Sequence, residues 1–151
     1  MSTFFSQKGN AEVWAKKPDG YYTPDEWGKL HPAPELTIDE LKASLKVDIA
    51  AARFEAETSG VMVNGVQIDT GRDSQALITG AALAAMLDEN YSLNWKTESG
   101  FIHLTAPEII SVAQAVRAHV QSCFDREGEL VALVDAAQTA EELDAIDISF
   151  E

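Results

Sequence analysis

The segment NWKTESGFIHLTAPE, residues 94–108, places Trp95, Lys96, Glu98, His103 and Glu108 close together, side chains able to act as acid, base or charge-stabilising groups. A second candidate is His119 with Cys123, four apart and on one face if the segment is helical. Zinc takes three or four protein ligands, however, and neither a CxxC nor a second His lies at compatible spacing. Cys123 also falls in an apolar helical stripe, where a small hydrophobic packing role is expected rather than a nucleophile. The third candidate is DREGE, with Asp125, Glu127 and Glu129. A spacing of two puts successive carboxylates on different sides of a helix, so these read as solvated charges and not as a converging acid/base pair. There is no P-loop, dinucleotide fingerprint, GxSxG or EF-hand loop, and NGVQIDTG and SGFIHLTA have too few glycines to cradle phosphate. No catalytic residue, metal ligand or cofactor is expected, and an enzyme is disfavoured.

The elements that position these residues explain the first cluster. With a turn at Thr97-Glu98-Ser99-Gly100, Trp95 pairs with Ile102 and Leu93 with Leu104, which gathers four apolar side chains on one face. Asn94, Lys96, Phe101 and His103 then share the opposite face, so His103 points outward. Thr105 and Glu108 form a capping box, with Pro107 in the first helical turn where its missing N–H costs little. The helix that follows keeps apolar residues at Ile109, Val112, Val116, Val120, Cys123, Leu130 and Val134, and Gly128 is expected to kink it or end it early. Thr139 with Glu142 marks a last short helix ahead of a frayed tail.

Upstream, TIDE is a capping box at Thr37 and Glu40. Ile38, Leu41, Leu45, Ile49, Ala52 and Ala56 recur at helical spacing up to a stop near Ser59-Gly60. Asn64-Gly65 between β-branched residues predicts a two-residue hairpin, with Val63 facing Val66 and Val61 facing Ile68. RDSQALITGAALAAMLD then reads as a helix rich in Ala and Gly, ending near 88–90. The unit of hairpin, Thr and helix occurs twice. The predicted fold class is α+β: two β-hairpins forming a small antiparallel sheet packed on three main helices, with an extended N-terminal arm. The domain boundary is expected between an arm at 1–36 and a body at 37–151.

The chain has 151 residues, enough for one principal core. Its 25 acids against 11 bases give a net charge of -14. The arm holds four Lys and five acids, which leaves seven bases and twenty acids on the body. Such a surface repels phosphate backbones, so nucleic acid is not an expected partner. No apolar run approaches the roughly 20 residues of a membrane span. The first residues lack a secretion signal, and the single cysteine fits a reducing compartment.

The arm shows no helical or alternating period, yet it collects Phe4, Phe5, Trp14, Tyr21, Tyr22 and Trp27 around Lys-Pro, Asp-Gly and His-Pro-Ala-Pro breaks. Aromatic anchors dominate protein interfaces, so these six are the expected partner contacts. The stripe Ile38, Leu41, Leu45 and Ile49 is a second candidate, as the seam of a homotrimer.

Two runs carry a family resemblance: GVMVNGVQIDTGRDSQALITGAAL, and LNWKTESGFIHLTAPEIISVAQAVRAHVQSCFDREGELVALVDAAQTAEELDAID. Together they resemble a domain of unknown function encoded beside tail-fibre genes in tailed bacteriophages and prophages, over about residues 50–148. The shared features are the NG turn leading to Ile68 and Thr70, the SQA helix start, NWKT with Gly100-Phe101, and CFDRE. Here Arg72 precedes Asp73, where the family pattern has Arg after Asp, which leaves the role of Arg72 open. The arm lies outside the resemblance, and the family offers no catalytic residues to carry over. The resemblance implies a structural component of the virion tail, made in the host cytoplasm and associated with the tail fibre, tail tip or baseplate. Its partners would be other phage tail proteins, reached through the arm. The alternative is a tail-fibre assembly chaperone absent from the mature particle.

Overall fold

The computed structural model describes residues 6–8, 11–13, 16–17, 20–21, 23, 25–26, 29 and 35–151. The chain divides into two units, 1–37 and 38–151. In the first, β1 (Ser6–Lys8) pairs antiparallel with β2 (Ala11–Val13), and β3 (Lys16–Lys17) with β4 (Gly20–Tyr21). Strands of two or three residues are too short to print an alternating pattern, which is why the arm looked featureless in sequence.

In the second unit the order is α1 (Ile38–Glu57), β5 (Val61–Val63), β6 (Val66–Ile68), α2 (Arg72–Leu87), β7 (Ser92–Thr97), β8 (Gly100–Thr105), α3 (Ala106–Ala136) and α4 (Ala140–Asp144). This is the expected α+β architecture with three main helices. The hairpins do not join into one sheet, however, and each remains a separate two-stranded ladder. Strands β5 and β6 have only three residues each and pack on the helices through their inward side chains, so a shared edge is not needed to bury them.

Both registers follow the apolar pattern. Val61 pairs with Ile68 and Val63 with Val66, around a turn in which Asn64 (φ 50°) and Gly65 (φ 79°) take the left-handed backbone of a type I′ hairpin. Leu93 pairs with Leu104 and Trp95 with Ile102, and their side chains join Ile78, Ala85, Ile109, Val112, Val116 and Val120 in a first core.

Helix α3 is the spine of this unit. Its first half, up to Val120, lies in that core, and its last turns carry Leu130 and Val134 into a second one with Ile49, Ala137 and Leu143. It runs unbroken through Gly128 for 31 residues, about 46 Å at 1.5 Å per residue. The expected break is absent because the apolar positions on either side of Gly128 are held by two different cores, which outweighs a propensity cost of about 1 kcal/mol. At the helix start the Thr105 backbone N–H donates to Glu108 Oε1 at 3.2 Å and the Thr105 hydroxyl donates to the same oxygen at 2.8 Å.

The stripe expected as a trimer seam packs in part on its own chain. Ile49 is fully buried in the second core, and Ile38, Leu41 and Leu45 pack against it with Ile146, Ile148 and Phe150. What stays open there is a groove of about 300 Å³ between α1 and α4. The tail is likewise packed rather than frayed. Arg126 donates from Nη2 to the Asp147 carbonyl at 3.1 Å and from Nε to the Ser149 carbonyl at 3.2 Å, holding the segment that carries Ile146, Ile148 and Phe150.

Candidate functional site

Where α1 ends, it presents a carboxylate to the interior. Glu57 is 0% exposed, and an ionised carboxylate in that position is tolerated only when paired and hydrogen-bonded. Arg53, one turn earlier on the same helix, donates from Nη1 to Glu57 Oε1 at 2.7 Å. Arg72, at the first position of α2, grips the carboxylate with two nitrogens: Nη2 donates to Oε1 at 2.9 Å, and Nε pairs with Oε2. Gln75, one turn into α2, donates from Nε2 to Oε2 at 2.9 Å and to the Thr70 carbonyl at 2.8 Å.

The backbone is stitched at the same point. The Thr70 hydroxyl, fully buried, donates to the Glu57 carbonyl at 2.7 Å and accepts from the Gly60 N–H at 2.9 Å. Gly60 has φ 94°, and a Cβ there would run into the Gln67 side chain. From α3, Glu127 accepts from Arg53 Nε at 3.0 Å, and the Phe124 ring lies 4.4 Å beneath the Arg53 guanidinium. The Arg72 guanidinium lies 5.6 Å from the Phe54 ring. Two Arg and two Glu thus balance in charge while joining the end of α1, the start of α2 and the middle of α3.

Burial pushes the Glu57 carboxyl up, but the hydrogen bonds from Gln75, Arg72 and Arg53 outweigh it and hold the group below the usual carboxylate range. For Arg53, burial acts to lower the pKa, and the bonds and charges of Glu127 and Glu57 overcome it and raise the value. A carboxylate has about four lone-pair sites. Glu57 Oε1 accepts from Arg53 and Arg72, and Oε2 faces Gln75 and Arg72. With each oxygen engaged twice, this carboxylate has no site left to take a proton from a substrate. Its chemistry is that of a clamp.

The other reactive side chains have similar attachments. His119, half-buried, donates from Nε2 to the Ala56 carbonyl at 3.0 Å, which closes the last turn of α1 against α3. Cys123 is buried on the apolar stripe of α3, and burial raises its thiol pKa. His103 is exposed on the outer face of the second hairpin, 3.2 Å through Nδ1 from Asn94 Oδ1, as the register requires. Among the described residues no three His, Cys, Asp or Glu side chains converge as a metal site would demand.

Within DREGE, Asp125 and Glu129 are exposed. Glu127 and Arg126 are partly buried, and they bind Arg53 and the tail carbonyls. The reading of all these charges as solvated is corrected on that point. Of the expected partner contacts, Phe4, Phe5, Trp14, Tyr22 and Trp27 lie outside the described residues, and Tyr21 is placed only as the strand partner of Lys16. Sequence reasoning passed over Glu57 and Arg53. The available signal was an Arg and a Glu one turn apart beside the end of an apolar stripe, where two solvent-facing charges would ordinarily be assumed.

The runs that carry the family resemblance converge on this clamp. Thr70 comes from the link between the first hairpin and α2, Arg72 and Gln75 from the first turn of α2, and Phe124 and Glu127 from CFDRE. The departure at Arg72 and Asp73 therefore leaves an Arg in contact with the buried carboxylate. No curated protein and no solved structure matches the chain. A family model does match, over residues 40–148, beginning within α1 and ending in the packed tail. The chain belongs to the family described as a domain of unknown function, DUF4376.

Proposed function

We propose that the chain is a structural, non-enzymatic component of a bacteriophage tail, associated with the tail fibre or tail tip and joined to neighbouring tail proteins through residues 1–36. The observation that carries the non-enzymatic part is the saturation of Glu57, the most deeply buried ionisable group described, by donors of its own chain. A carboxylate used in this way supports a rigid body whose polar interior serves its fold. The tail setting rests on the resemblance to domains encoded beside tail-fibre genes. The aromatic content of the arm supports docking on another protein, since Trp and Tyr are the commonest anchors of such contacts.

The direct test is to co-express the full chain with tail-fibre and tail-tip proteins and capture the complex. Trp14→Ala with Trp27→Ala is expected to weaken capture by about tenfold or more, as loss of interface anchors does. Capture unchanged by these substitutions would remove the arm from the interface.

A further inference from the structure

Helix α2 has apolar residues on opposite faces. Ile78, Ala81, Ala82 and Ala85 belong to the first core, while Leu77, Leu83, Met86 and Leu87 are 64, 58, 73 and 80% exposed. A surface helix ordinarily turns a polar face outward, and one that is apolar all round is covered on both sides. The exposed side chains amount to roughly 500 Å² of apolar surface, near the upper end of what a monomer carries. That is also a large part of the roughly 800 Å² that each partner contributes to a stable complex.

We propose that the outer face of α2 is the contact between two copies of this chain, packed antiparallel about a two-fold axis midway between Gly80 and Leu83. Spacings of four, three and four put Ala76, Gly80, Leu83 and Leu87 along one line of the helix. In the antiparallel pair Gly80 faces the partner's Leu83, and Ala76 faces the partner's Leu87. Each large side chain meets a small one, and the space beyond the Gly80 backbone is open. A parallel pair would set Leu against Leu and Gly against Gly, which overfills some layers and leaves gaps in others. The face is thus complementary to itself, as a two-fold contact must be.

Charge selects the same occupant. The fourteen residues from Ser74 to Leu87 include no charged side chain, in a chain whose net charge is -14. Two copies repel through their acidic surfaces, and an uncharged face is where they can approach. A basic partner would find no carboxylate along this line. The contact is independent of the tail assignment and stands or falls separately from it.

Light scattering of the full chain is expected to give twice the 16.4 kDa chain mass. One chain mass, or three, would overturn the proposal. Leu83→Asp with Leu87→Asp is expected to return the mass to 16.4 kDa, and a dimer surviving both substitutions would count against this face. Register is read without charge substitutions by mixing an Ala76→Cys protein with a Leu87→Cys protein under mild oxidation. The mixed disulfide should form faster than either homodimer. Faster homodimers, or no cross-link, would contradict the antiparallel pair.

Discussion

Arg53 and Glu57 stand one turn apart on α1, joined at 2.7 Å, and the carboxylate between them and Arg72 is closed off from solvent. Without Glu57 the Arg53 guanidinium keeps Glu127 as a partner, but its Nη1 loses an acceptor inside the fold, at a cost of about 1–3 kcal/mol. Glu57→Ala should therefore lower unfolding stability by about that amount, read from urea denaturation. Arg72 has a side chain 57% exposed, so solvent screens its share, and Arg72→Ala should cost about 1 kcal/mol or less. Equal losses for the two variants would mean that the clamp is not organised around Glu57.

The acid response follows from the same carboxylate. Its folded pKa is lowered, so its contribution to stability is fully present above the unfolded value, about 4.3. That contribution is lost as pH falls through the lower folded value. Stability should decline on acidification below about pH 4–5, and the decline should be shallower in Glu57→Gln, which has no proton to bind. Glu108 and Asp147, both lowered by hydrogen bonds to Thr105 and Ser149 respectively, act in the same direction. The comparison must therefore be of slopes between the two proteins. Parallel acid limbs would exclude Glu57 as a contributor.

Two glycines should respond in opposite ways to alanine. Gly60 combines φ 94° with a Cβ position occupied by the Gln67 side chain, so Gly60→Ala should destabilise by about 1–3 kcal/mol. Gly128 lies within α3 with open space around its Cβ position, and Gly128→Ala should stabilise by about 0.5–1 kcal/mol. Thermal melts of the two variants give the signs directly.

Hairpin registers were legible in the sequence because a one-residue slip would move every apolar side chain to the wrong face. The pairing of Trp95 with Ile102 follows from that constraint alone. The long helix was legible for the same reason of period, but its continuity through Gly128 was not, because continuity depends on two cores formed by residues distant in sequence. The clamp was the least legible feature. Arg53 and Glu57 look like an ordinary surface pair, and their burial is decided by Arg72, Gln75 and Glu127 arriving from two other helices. The stripe from Ile38 to Ile49 was recognised as apolar, but it packs in part on the chain's own α4 and tail. Local pattern shows that a face is buried and does not show by what.

Cys123 provides a check on the apolar stripe of α3. Buried and with its thiol pKa raised, it should react with a thiol-specific reagent only after denaturation. Rapid labelling of the native chain would place the second half of α3 in solvent.

The tail assignment is tested most directly by quantitative mass spectrometry of purified phage particles, calibrated against the major tail protein. A fixed, small whole-number ratio of this chain per particle is the predicted result. Absence from particles, with the chain bound to fibre protein in infected-cell lysate, would contradict it and identify an assembly chaperone.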